Sequence, residues 1–323
     1  MKIVVCNESA LHFWSLPEER RARAVLSTSH DLADAGSSAK IIASVDPELM
    51  GLGDYPLHVL VSSDNARGKS KNCLSHIYSR PLPAGSLYRL ANDVYITSPE
   101  LTYFQMGGSV PVIELVMFGM QICGTYALDP LAPAGYRDHI EPLTSTDRLR
   151  RFESQLQRLN PRSPSVNALR WVTDGSASPM ETAVFLSLCL PPLYGGYGFP
   201  VPQLNQKIAL GNEAAKMALQ RSITPDMTWP DRMVCVEYDS DLHATSSGIA
   251  RDARRRSTLG YLGYQVLTVT KEQVRNPWQF HDVALQLSAL LGKRLYNRKP
   301  GWEEKRRLLR SQLFPWKSWD QGL

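Results

Sequence analysis

Two acids one residue apart, Glu237 and Asp239, stand in the run Val234-Cys235-Val236-Glu237-Tyr238-Asp239, where apolar and polar residues alternate. Strand side chains flip at each residue, so Cys235, Glu237 and Asp239 share one face and Val234, Val236 and Tyr238 the other. Neighbouring carboxylates repel unless something cationic lies between them. Just upstream, Pro225-Asp226 opens a second short run, Asp226–Trp229, and Pro230-Asp231 marks the turn. With a two-residue tip, Trp229 pairs with Arg232 and Asp226 falls opposite Cys235, on the face of Glu237 and Asp239; a tip one residue longer reverses this. Three carboxylates on one sheet face form the oxygen-rich donor set that a hard cation such as Mg²⁺ takes. A metal held there lowers the pKa of a water and neutralises charge on a scissile phosphate. Asp226, Glu237 and Asp239 are the expected metal ligands.

The elements that must position these acids read as follows. Asp226–Trp229 and Met233–Ser240 are strands joined at the Pro-Asp turn, Tyr264–Thr270 is a third, and Gln203–Ile208 precedes them as a fourth. Ser178–Leu190, ended by Pro191-Pro192, and Ser247–Leu262 carry helical spacing. The order is α-β-β-β-α-β, closed by helices over Pro277–Leu295 and Trp302–Leu313. Ser178-Pro179-Met180-Glu181 is an S-x-x-E capping box, which explains a Glu at 181 without any site role. Asp252 with Arg255 or Arg256 reads first as an ion pair within one helix. Arg251, Arg254, Arg255 and Arg256 span a whole turn, so only one or two can face a phosphate; Arg251 and Arg255 are taken as those. Gly195-Gly196-Tyr197-Gly198 lacks the Lys and the following helix of a phosphate loop and reads as a flexible connection.

The ordered set Pro225-Asp226, Glu237-x-Asp239, His243, Asp252-x-x-Arg255-x-x-x-Leu259-x-x-x-Gly263-Tyr264-x-Val266 resembles the very-short-patch-repair-like branch of the PD-(D/E)XK endonuclease superfamily. The resemblance covers roughly residues 178–270. It implies an αβββαβ restriction-endonuclease-like core on a mixed sheet, with Glu181 on the first helix joining Asp226, Glu237, Asp239 and His243 as catalytic residues. Asp239 stands where many members of the superfamily carry Lys, which removes a cation that could position the attacking water. The implied activity is Mg²⁺-dependent hydrolysis of phosphodiester bonds in nucleic acid, DNA foremost, in defence or repair. The alternative is a non-catalytic nucleic-acid-binding regulator, antitoxin-like, that keeps the fold.

The preceding region reads as a smaller α+β domain. Lys2–Cys6, Ala39–Val45 and Leu57–Ser62 are expected strands, and Pro17–Leu26 and Val112–Gly124 expected helices. Ser98-Pro99-Glu100 is a helix start. Asp129-Pro-Leu-Ala-Pro-Ala-Gly-Tyr136 is the expected linker, followed by helices over Ser145–Leu159 and Ser163–Val172. The division is thus residues 1–135, a helical connector over 136–176, and 177–323. Val94–Thr102 faintly resembles AbiEi-type antitoxin-related proteins, which implies a domain that selects a target or a protein partner.

Composition sets the outer bounds. Among 323 residues, 43% are hydrophobic, enough for one large or two ordinary cores. A net charge of +5 admits an anionic partner but decides nothing until the basic residues are placed. The five cysteines form no C-x-x-C pair, which argues against a disulfide framework or a thiolate zinc site and for a reducing cytoplasm. The Met-Lys-Ile-Val-Val-Cys-Asn-Glu start does not read as a signal peptide, and no stretch approaches the ~20 apolar residues of a membrane helix. His12, His30, His58 and His76 are too scattered to suggest a metal site.

Overall fold

The computed structural model describes residues 2–156, 163–239, 246–295 and 301–314, of which the side chains of 246–249 are not described. The chain is mixed α/β and divides into two compact units, Met1–Asp174 and Gly175–Leu323.

The first unit is built on a six-stranded sheet. Its strands are β1 (Ile3–Val5), β2 (Val25–Leu26), β3 (Leu57–Val61), β4 (Cys73–Ile77), β5 (Leu87–Ala91) and β6 (Val94–Thr97), ordered β2-β5-β6-β1-β3-β4. The sheet is mixed: β1 runs parallel to β6 and antiparallel to β3, and β3 runs parallel to β4. Every residue of β3 is buried, so its Leu-His-Val-Leu-Val run is apolar almost throughout rather than alternating. Helices α1 (Asn7–Ser15), α2 (Glu18–Arg21), α3 (Ala39–Ile42), α4 (Pro47–Met50), α5 (Pro99–Met106) and α6 (Val112–Ile122) belong to the same unit. Ser98 caps α5 through its side chain, which accepts from Leu101 N, as the Ser-Pro-Glu start implied.

Several expectations are corrected. Ala39–Val45 contains helix α3 in place of a strand; Ile42 and, three residues on, Val45 are both buried, the spacing of a helical turn rather than of a pleat. The helix expected over Pro17–Leu26 stops at Arg21, and Val25–Leu26 pairs with Tyr88 and Arg89 as the edge strand. The expected linker Asp129–Tyr136 is the loop of a hairpin between β7 (Ala127–Leu128) and β8 (Tyr136–Arg137). Buried Asp129 ties that loop, accepting from Leu131 N at 3.0 Å and from Arg137 Nε at 2.7 Å. In the stretch expected as a connector, α7 (Thr146–Gln155) packs on α5, and α8 (Pro164–Leu169) on both α5 and α6.

The second unit opens on α9 (Pro179–Cys189), buried from Thr182 to Cys189 on every side, which is why it shows no polar stripe. The expected strand Gln203–Ile208 is split. β9 (Gln203–Leu204) joins the main sheet, whereas β10 (Ile208–Ala209) pairs with β11 (Ser222–Ile223) around α10 (Asn212–Ala218). The break falls at Asn205, whose φ of 48° lies in the left-handed region. Next come β12 (Met227–Trp229), β13 (Val234–Asp239), α11 (Ser246–Tyr261) and β14 (Gln265–Thr270), giving a sheet ordered β14-β13-β12-β9. β12 is antiparallel to both β9 and β13, and β13 runs parallel to β14 over six pairs, from Val234↔Gln265 to Asp239↔Thr270. Cys235 of β13, Leu259 of α11, Ile223 of β11 and Ala218 of α10 pack into one buried cluster. Gly263 closes α11 with φ 89°, a conformation that a side chain would strain.

The unit ends in α12 (Lys271–Arg275), α13 (Pro277–Leu291) and α14 (Trp302–Leu313). Arg310 of α14 is buried and donates to the carbonyls of Val274 and Arg275, so a cation caps the C-terminal end of α12. Gly195-Gly196-Tyr197-Gly198 is fixed rather than flexible. A Cβ on Gly196 would meet Leu190 O at 2.1 Å, and Tyr197 N and Gly198 N donate to Ser187 O and Leu190 O.

Candidate acidic active site

The turn between β12 and β13 is four residues long, Pro230–Met233, because Trp229 pairs with Val234 rather than with Arg232. That is two more residues than the expected tip. An even shift changes each residue's partner but not its face, so Asp226 stays with Glu237. Continuing the register Met227↔Val236 by one residue sets Asp226 against Glu237. Asp226 Oδ2 accepts from Tyr238 N at 2.7 Å and so ties the two strands beyond their last pair. Thr228 and Cys235, two residues nearer the turn on the same face, meet through Oγ1 and Sγ at 3.7 Å.

Glu181 reaches the same place from α9. Ser178 Oγ accepts from Glu181 N at 3.1 Å, which is the expected half of the cap. The Glu181 carboxylate instead accepts from Ala177 N at 3.0 Å and from Asn205 Nδ2 at 2.7 Å. Asn205 also donates to Gly175 O. The residue that breaks β9 in a left-handed conformation therefore holds a site carboxylate, and Asn tolerates that backbone state better than most residue types. Nothing in the sequence marks Asn205 as more than a turn former.

Electrostatics separate this cluster from ordinary surface acids. Burial pushes Asp226 up to about 8, and the charges of Glu181 and Glu237 add to the push. Burial also raises Glu181, against the pull of its Asn205 and Ala177 bonds, and raises Glu237, against the pull of Arg255. Arg255 of α11 lies 2.9 Å from Glu237 Oε1 and donates to Thr224 O. Glu237 Oε1 is fully enclosed with that guanidinium as its near partner, and Arg256 adds a weaker pull. The three carboxylates stay raised all the same.

The structure brings together Glu181, Asp226 and Glu237. Asp239, expected as a ligand, sits exposed at the far end of β13, and the third acid of the cluster is Glu181 instead. His243 lies outside the described residues. Of the two arginines expected on phosphate, Arg251 is exposed on α11, whereas Arg255 is turned to Glu237. Among the described residues no three His, Cys, Asp or Glu side chains form a ready-made metal cage. The donor chemistry nevertheless suits a hard cation: oxygen only, partly withdrawn from water, with carboxyl groups in excess of the nearby arginines' charge. Comparison with protein families, characterised proteins and solved structures finds no match.

Proposed function

We propose that the second unit is a metal-dependent phosphodiesterase domain of the restriction-endonuclease-like type, hydrolysing nucleic acid, DNA foremost. The carrying observation is that Glu181, Asp226 and Glu237, from α9, the residue before β12, and β13, converge and are all raised by burial despite the guanidinium of Arg255. Burying three acids with so little counter-charge costs stability, and such a cost is retained where the acids have work to do. Mg²⁺ bound by Asp226 and Glu237 would activate a water and neutralise charge on the scissile phosphate. The chain's own groups supply the rest. Asn205 and the Ala177 amide aim Glu181 into the site. Asp226, held toward its neutral form by burial, would have to release its proton to serve as a cation's ligand. Arg255 orients Glu237 and places a positive charge beside the acids, where Asp239 offers none. The first unit contributes none of these residues, and we assign it target or partner selection.

The ion pair between Arg255 and Glu237 also favours a second reading, in which a side-chain cation stands in for the metal and the domain binds nucleic acid without cutting it. Incubation of a labelled DNA duplex and its single strands with purified protein and Mg²⁺ separates the two. The nuclease reading expects cleavage that chelation stops and that Glu237→Ala lowers by at least about a hundredfold, the scale of losing one electrostatic contributor to a transition state. Binding without cleavage by the wild type gives the case to the second reading.

A further inference from the structure

We infer that an open groove beside the β12–β13 turn binds the phosphodiester backbone of one DNA strand and leads it toward the acidic site. This rests on the nuclease reading and names the path of its substrate. The groove has a volume of about 890 Å³, and its walls include Val201, Gln203, Arg232, Lys293 and Arg294, with Asp231 the only acid among its lining residues. Pro200 and Trp229 form part of the lining as well, but Trp229 is only 6% exposed, its Nε1 donating to Pro200 O. The groove therefore offers positive charge rather than a stacking platform, which suits phosphates better than bases.

The cations come from separate elements. Lys293 and Arg294 follow the C-terminal end of α13, where the helix dipole alone favours positive charge. Lys293 is committed in part, since its ammonium donates to Gly198 O. The dipole does not account for Arg232, which reaches the same groove from the β12–β13 turn. Arg232 and Arg294 are both exposed or half-exposed, and among the described residues neither guanidinium has a carboxylate partner. Two unneutralised guanidiniums from different elements, converging on one groove, match a chain of anions better than a single counter-ion.

The edge strand joins the groove to the acids. Gln203 of β9 is exposed and lines the groove, and Asn205, two residues past it, grips Glu181 and donates its N–H to Asp226 O. At roughly 3.3 Å per strand residue that is about 7 Å. A backbone seated on Arg232 and Arg294 and drawn along this edge would thus bring a following phosphate to the carboxylates.

Fluorescence anisotropy of a labelled twelve-nucleotide single-stranded DNA, in EDTA and over a salt series, tests this without cleavage. Arg232→Glu with Arg294→Glu should weaken binding at least tenfold near 100 mM salt. It should also flatten the slope of log affinity against log salt by about 1.4, since each lost single-strand phosphate contact removes ~0.7. Should the double reversal melt early, Arg232→Gln and Arg294→Gln made singly are each expected to lower the slope by about 0.7. Glu237→Gln should bind at least as tightly as wild type. Wild-type affinity and slope in the groove variants, or no binding by the wild type, overturns the path. Groove-dependent binding in a protein that never cuts with Mg²⁺ overturns the nuclease reading and leaves the path standing.

Discussion

Both units bury carboxylates, and they do so in opposite ways. In the first, Glu100 of α5 is 4% exposed, and its Oε1 accepts from Thr144 Oγ1 at 2.7 Å and lies 3.0 Å from Arg148. Nearby, Asp174 accepts from both the amide and the hydroxyl of Thr146. Each acid has two partners of its own. In the second unit three acids crowd together, and the partners they have leave every carboxyl group pushed toward its neutral form. Burial alone therefore marks no functional acid. What marks the second cluster is burial with a shortage of partners.

The largest expected effect that sharpens this contrast is a pH dependence. With Asp226 near 8 in the folded protein and near 3.9 when unfolded, the native state holds a proton that the unfolded chain has released. Stability is then greatest below the unfolded value and is lost as pH rises through the window up to about 8. The slope is at most about 1.4 kcal/mol per pH unit for one proton. Urea melts in EDTA between pH 5 and 8 should show the wild type losing stability with pH and Asp226→Asn losing distinctly less. A wild type as flat as the variant would mean that the acids are already compensated, and the contrast would collapse.

A smaller effect of opposite meaning is expected in the first unit. Glu100→Ala leaves Thr144 Oγ1 and Arg148 without their acceptor. Arg148 is 52% exposed and keeps its water, so most of the loss comes from the buried end. A destabilisation of about 2 kcal/mol, read from chemical denaturation, fits a buried acceptor removed from a charged network. A stability gain on removing Glu100 would place it in the same class as the second unit's acids.

How much of this is legible in the sequence depends on distance along the chain. Alternation in Val234–Asp239 and helical spacing in α11 are local, and they locate β13, α11 and β14 within a residue or two. The face of Asp226 survives a wrong turn length only because Pro230–Met233 is longer than the expected tip by an even number of residues. Glu181 is sufficiently explained by its cap at the level of sequence, and its bond to Asn205, on the residue that breaks β9, joins positions with no common motif. Arg255 carries two local explanations, a helical ion pair with Asp252 and a phosphate contact, and instead takes a long-range third. Ala39–Val45 reads wrongly as a strand because a short apolar run suits either period until its neighbours are known.

The smallest and most discriminating test is Glu237→Gln, because it asks what one charge costs where it stands. The change keeps size and shape. The amide can still offer a carbonyl oxygen to Arg255, so the loss of the ion pair is only partial. Glu237 is nonetheless raised on balance, burial and the charge of Asp252 outweighing the pull of Arg255 and Arg256. The folded protein therefore disfavours the charge, and removing it should stabilise the metal-free state. Its side chain is only 16% exposed and Arg255 29%, so solvent screens the pair little, and burial outweighs the pull of the arginines. A gain in stability in EDTA is expected. In the presence of Mg²⁺ the order should reverse. On the proposed reading the folded wild type binds the ion and should gain melting temperature with Mg²⁺ concentration, and the variant should gain much less. Thermal melts of both proteins across a Mg²⁺ series give both numbers. If Glu237→Gln is the less stable protein in EDTA and responds to Mg²⁺ as the wild type does, Glu237 is a structural partner of Arg255. The second unit would then resemble the first, with its acids matched to its donors.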